Sequence, residues 1–170
     1  MSEAEDTYGL NGAEYLYLLS ISEPRDNSVL LRVREAVVNY SSVARVEGLG
    51  EPFSKLLEGA SPIESTADCR AYELHWRHYI AYLVTEEGAG SCGEYQDEVF
   101  TGKLLRVYTK SHFLDHLGRD TGGHMRPLRH YKVVCLNHLV DVASEEPPEI
   151  RLIGEPGPRL QRGSTGQGSV

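Results

Sequence analysis

The chain has 170 residues, a formal net charge of −8 and 40% hydrophobic residues, which suggests a single domain and excludes a wholly disordered chain. The acidic balance argues against nucleic acid as a partner, because phosphate contacts need a positive face. No apolar run approaches the ~20 residues a membrane-spanning helix requires, and none resembles a secretory signal, so the expected location is the cytoplasm.

Met1 to Gly12, MSEAEDTYGLNG, reads as an acidic arm ahead of a β-rich domain over residues 13–153. Tyr15 to Ser22 predicts a strand with Tyr15, Tyr17, Leu19 and Ile21 on one face. EPRDN supplies turn residues. Val29 to Val38 reads as the returning strand, with Val29, Leu31, Val33 and Val37 on one face and Arg32 and Arg34 on the other. A short helical turn is expected around Pro52 to Leu57, with Gly59 after it. Cys69 to Thr85 alternates over seventeen residues, Tyr72, Leu74, Trp76, His78, Ile80, Tyr82 and Val84 sharing a face. That is too long for an ordinary strand, so a bend near Arg77 and His78 is expected. Residues 86–98 form an acidic, Gly-rich loop.

Lys103 to Tyr108 predicts a further strand. Ser111 to Leu117 predicts a short helix with Ser111 as N-cap, Gly118 as stop and Phe113, Leu114 and Leu117 as its apolar face. Arg129 to Asn137, Leu139 to Ala143 and Ile150 to Ile153 complete the strands. The tail from Gly154 is rich in Gly, Pro and Ser and is expected to be disordered. Cys69 and Cys135 are expected in the core and Cys92 in a loop. Three reduced cysteines with no CxxC fit a cytoplasmic protein.

Charge is unevenly spread. Residues 1–102 carry 18 acids and 7 bases, whereas residues 103–138 carry 7 bases and 2 acids. The basic segment includes KSHFLDHLGRDTGGHMRPLRHY, residues 110–131, with four of the seven histidines. Its candidate binding residues are His112, His116, Arg119, His124, Arg126, Arg129 and His130. They suggest a surface for an anion or an acidic partner, or an internal charge match. His112 and His116 share a helix face at the spacing used by zinc proteases, and HFLDH resembles the reversed HxxEH pattern. Two histidines make an incomplete zinc sphere, however, and Asp115 is shorter than the glutamate that pattern needs. No metal and no cofactor are therefore expected. No GxSxG or GxxxxGK[ST] occurs, so no catalytic residue is assigned.

The runs YTKSHFLDHL, HYKVVCLNHLVDV and EPPEI resemble a set of small, uncharacterised bacterial proteins over roughly Tyr15 to Ile153. The resemblance implies a bacterial, self-contained domain and carries no reaction or ligand to any position. The expected fold is mainly β, an antiparallel sandwich or open barrel of seven or eight strands with one or two short helices. The expected role is non-catalytic binding of another protein, as in immunity or accessory proteins, with no membrane partner. The alternative is an enzyme or small-ligand, anion or metal binder built on residues 110–131.

Overall fold

The computed structural model describes residues 9–41, 60–90, 97–120 and 127–154. The expected helical turn at Pro52 to Leu57, Cys92, His124, Arg126 and the tail after Gly154 lie outside them. The fold is mainly β, as expected, with ten strands in two antiparallel sheets among the described residues. The first sheet contains β1 (Tyr15–Ser22), β2 (Val29–Val38), β3 (Ile63–Glu64), β4 (Ala71–Trp76) and β10 (Glu149–Gly154). Its order is β1-β2-β4-β10, with β3 paired to β2. The second contains β5 (Ala81–Glu86), β6 (Val99–Thr101), β7 (Leu105–Lys110), β8 (Arg129–Val134) and β9 (His138–Ser144), in the order β5-β9-β8-β7-β6. Two helices accompany them, α1 (Glu87–Gly90) and α2 (His112–Asp120). No described helix is long and apolar enough to cross a membrane.

The core lies between the sheets. Val29, Leu31, Val33, Tyr72, Leu74 and Trp76 of the first sheet meet Tyr131, Val133, Val140 and Val142 of the second. Trp76 is 1% exposed, and its ring lies 5.8 Å from that of Tyr131. The long alternating run bends where expected. β4 ends at Trp76 and β5 begins at Ala81, so one continuous segment passes from sheet to sheet. β9 and β10 make the return passage beside it, since β9 pairs with β5 and β10 with β4. The corner is tied by Ile80 N–H to the Ala143 carbonyl and by Ser144 Oγ to the His78 carbonyl.

On the far side, the free edge of β1 is met by the turn between β8 and β9. Asn137 pairs both the N–H and the carbonyl of Leu18 through its side-chain amide, at 2.9 and 3.0 Å. The Leu136 N–H donates to the Leu16 carbonyl. A blunted edge of this kind resists pairing with a second chain.

Several faces differ from expectation. β1 buries Leu16 and Leu18, while Tyr17 and Leu19 are exposed; a bulge between Leu18 and Ser20 lets Ile21 pack against the core again. In β2, Ala36 is buried in place of the expected Val37. Cys69 is half-buried rather than core, whereas Cys135 is buried. Leu10 is fully buried in a short 3-10 turn, Leu10–Gly12, so these residues of the acidic arm belong to the folded unit. Asn11 Oδ1 accepts the backbone N–H groups of Lys103, Leu104 and Leu105, fixing the β6–β7 turn. In that turn Gly102 has φ 89°, and a Cβ there would lie 2.1 Å from the Leu105 carbonyl oxygen. Only glycine fits such a position.

Candidate functional site

The histidine-rich segment splits into a buried part and an exposed part. α2 begins where the sequence predicts, because the Ser111 hydroxyl accepts the Leu114 N–H at 3.2 Å. It runs on through Gly118 to Asp120 instead of stopping there. Phe113, Leu114 and Leu117 are its half-buried hydrophobic side chains. They lie toward the outer face of the second sheet, where the Phe113 ring meets the edge of His130 at 5.1 Å. Tyr108 stacks on His130 at 4.3 Å, and Phe100 packs on Tyr108.

His130 is thus sealed beneath the helix at 1% exposure, not displayed on a surface. Its Nε2 lies 2.6 Å from Asp141 Oδ1 and its Nδ1 2.9 Å from Ser111 Oγ. Lys132 Nζ reaches the same Asp141 oxygen at 3.3 Å. Asp141 is the acceptor, so Nε2 carries the proton; in the neutral ring Nδ1 then accepts the Ser111 hydroxyl. The pairing of β8 with β9 sets Lys132 opposite Asp141, which puts His130, two residues away, on the same face.

A serine, a histidine and an aspartate in hydrogen-bond sequence invite comparison with a hydrolytic triad. The ring is reversed relative to that arrangement, in which Nε2 faces the serine and Nδ1 the acid. The Ser111 oxygen already serves as the helix cap, and the residue is 1% exposed. A nucleophile must reach its substrate, and this hydroxyl is closed in. The geometry instead fastens the start of α2 to β8 and β9.

The exposed part is matched by acids. His112 Nε2 lies 3.0 Å from Asp97 Oδ1, Lys110 Nζ lies 3.5 Å from Asp97 Oδ2, and Glu98 Oε1 accepts the His112 N–H. The hydrogen bond from His112 holds the Asp97 carboxyl below the usual carboxylate range. His116 Nε2 lies 3.4 Å from Asp120. Arg119 is exposed and Arg129 half-buried. The end of the acidic loop therefore meets the basic segment, the internal charge match allowed for in the sequence. No group of three or more His, Cys, Asp or Glu placed to hold a metal occurs among the described residues.

A second constellation lies on the outer face of the first sheet, away from the core. The register places Arg32 beside Glu73 and Glu73 beside Arg151 across three strands. Arg32 Nε donates to Glu73 Oε1 at 2.9 Å and Arg151 Nη2 to Oε2 at 2.8 Å. The hydrogen bond from Arg32 leads in holding the Glu73 carboxyl below its ordinary value, against the opposing effect of burial; the Arg32 and Arg151 charges assist. Glu73 is only 7% exposed, while both arginine side chains are more than half exposed.

Arg34 shares the face, and its Nε is buried with no hydrogen-bond partner among the described residues. Toward the β1–β2 turn the face continues through His75, opposite Leu30 and Glu149, to Arg77 and Arg25. Arg77 pairs with Glu149 at 2.7 Å.

The chain matches no family model, no curated protein and no solved structure. The resemblance to small bacterial proteins accordingly rests on the sequence runs alone. Sequence reasoning placed Arg32 and Arg34 on one face of their strand but had no signal for Glu73, His75 or Arg151 beside them. It also missed Asp141 as the partner of His130, because cross-strand register is invisible until the hairpin turn is fixed.

Proposed function

We propose that this chain is a bacterial, cytoplasmic, non-catalytic interaction domain, in the manner of immunity or accessory proteins. On this reading it docks an acidic segment of another protein on the outer face of its first sheet. The observation that carries this is the charge of that face. Arg25, Arg32, Arg34, Arg77 and Arg151 stand against Glu73 and Glu149, in a chain whose net charge is −8. A positive face on an acidic protein attracts an acidic partner and repels copies of itself. Tyr17 and Leu19, exposed on β1, add apolar area at its margin.

The enzyme reading centred on residues 110–131 is the weaker one, because His130 and Ser111 are sealed and His112 and His116 are paired with acids.

The test compares affinity capture from the source cells by the wild-type chain, by Arg151→Gln and by Arg119→Gln. Arg151→Gln leaves Arg32 to hold Glu73. A specific protein retained by the wild type and by Arg119→Gln, but weakened by Arg151→Gln and by added salt, is the expected result. Loss with Arg119→Gln and retention with Arg151→Gln would return the binding surface to α2.

A further inference from the structure

At the end of the arginine face, where the β1–β2 turn approaches the last residues of β4, a cleft of about 320 Å³ opens. It is lined by Pro24, Arg25, Ser28, His75 and Arg77. The volume sits at the small end of the range of natural ligand sites. No carboxylate is among these lining residues.

The turn that forms one wall is rigid for reasons visible in its bonds. Ser28 Oγ accepts the Arg25 N–H at 3.0 Å and donates to the Arg25 carbonyl at 2.9 Å. Asn27 adopts the left-handed conformation that asparagine tolerates, φ 60°, and its carbonyl accepts the Tyr79 N–H at 2.7 Å. Glu23, just before the cleft, receives the hydroxyls of both Tyr79 and Tyr82 on one oxygen, at 3.0 and 2.9 Å. Those bonds raise the pKa of both tyrosines, so they stay protonated and keep donating in neutral solution. The turn is therefore tied to the corner between the sheets from two sides.

The donors are left over from this scaffold. Arg77 spends its Nε and Nη2 edge on Glu149, which orients the guanidinium and leaves Nη1 unassigned. The Arg25 guanidinium makes no ion pair among the described residues. His75 Nε2 is buried with no hydrogen-bond partner among them. A buried ring nitrogen without a partner is costly, and of the charged groups in this wall only Arg77 is matched by an acid, Glu149, which stands outside the lining.

We infer that this cleft is a binding site for a small organic oxyanion, a phosphomonoester or a carboxylate a few carbons long. Arg25 and Arg77 contact its oxygens and the Pro24 ring packs against its carbon part. Guanidinium groups suit this chemistry because they give paired, charge-assisted hydrogen bonds to planar or tetrahedral oxyanions. A pre-formed cleft keeps the ordering cost of binding low. The cleft shares Arg25 and Arg77 with the face proposed for protein docking, but the inference concerns small ligands and does not need that docking.

The experiment is a titration of the full chain, followed by amide and arginine Nε–H NMR shifts. Its probes are inorganic phosphate, glycerol 3-phosphate and glutarate, with glycerol as the uncharged control. The expected result is saturable binding of at least one organic anion, tighter than inorganic phosphate, with shifts at Arg25, Ser28, His75 and Arg77. The preferred probe tells phosphomonoester from carboxylate. Arg25→Gln, at an exposed turn position, should weaken it by about tenfold with the melting temperature unchanged. Arg32→Gln, on the same face outside the cleft, should weaken it less than about twofold. Saturable binding lost equally in both variants would assign the effect to the general potential of the face and overturn the site. So would the absence of saturation with every probe.

Discussion

The two sheets share a core but treat their outer faces differently. α2 covers the part of the second sheet's outer face around His130. Ser111, His130, Asp141 and Lys132 form one connected line. The outer face of the first sheet bears no helix among the described residues, and its arginines outnumber its acids. Closure of one face gives stability and takes its groups out of contact with solvent. The open face keeps charged groups half-solvated, where they contribute little to folding and remain available to a ligand. Ser111 and His130 of the histidine-rich segment thus lie on the covered side, while His112 and His116 stay exposed.

Substitutions should fall into a matching gradient. The shared core comes first: Trp76→Ala should cost ~3–5 kcal/mol in urea unfolding, as a large-to-small deletion between both sheets. A loss below ~1 kcal/mol would mean the sheets do not meet at this ring.

On the closed face, Asp141→Ala should cost about 3 kcal/mol, because it leaves His130 Nε2 buried without its acceptor. Ser111→Ala should cost about 1–2 kcal/mol through the lost cap of α2. The paired variant Ser111→Ala with Asp141→Ala should be less than additive, since both act through His130. Full additivity would break the hydrogen-bonded line.

On the open face, Arg32→Gln should cost less than ~1 kcal/mol, because Arg151 still holds the other oxygen of Glu73. The Glu73 carboxyl should titrate below the ordinary range. A carboxyl with a depressed folded-state pKa contributes stability that is present above its unfolded pKa and is lost as pH falls through the folded value. The contribution should therefore disappear only in strong acid, and in Arg32→Gln the carboxyl should titrate at higher pH. Carbon-13 NMR of the side chain reads this directly; an unchanged titration in the variant would remove Arg32 as the cause.

The smallest effect expected is chemical. Burial pushes the Cys135 thiol up to about 12, so alkylation in the native state should be negligible while half-buried Cys69 reacts. Rapid labelling of Cys135 would mean that the β8–β9 turn opens readily.

The parts of this contrast that depend on local pattern were legible in the sequence. The bend after Trp76, the Ser111 cap and the apolar side of α2 follow from alternation, capping chemistry and helical spacing. Gly118 failed as a stop signal because glycine ends a helix only where the chain takes the left-handed turn, and here it continues. The buried side of β1 was not legible, because Tyr15, Tyr17 and Leu19 compete with Leu16 and Leu18 in hydrophobicity. The two-residue strand β3 and the three-residue strand β6 are too short to show a period. His130 looked like a surface group because nothing in its own segment announces Asp141 eleven residues on or the helix that covers it.

The contrast between the faces is tested most directly by titrating the isotopically labelled chain with an oligoglutamate peptide and mapping amide shifts at low and high salt. The account predicts salt-sensitive shifts on β2, β4 and β10 around Arg32, Arg34, Glu73 and Arg151, with α2 silent. Shifts centred on His112, His116 and Arg119, with the first sheet silent, would contradict it.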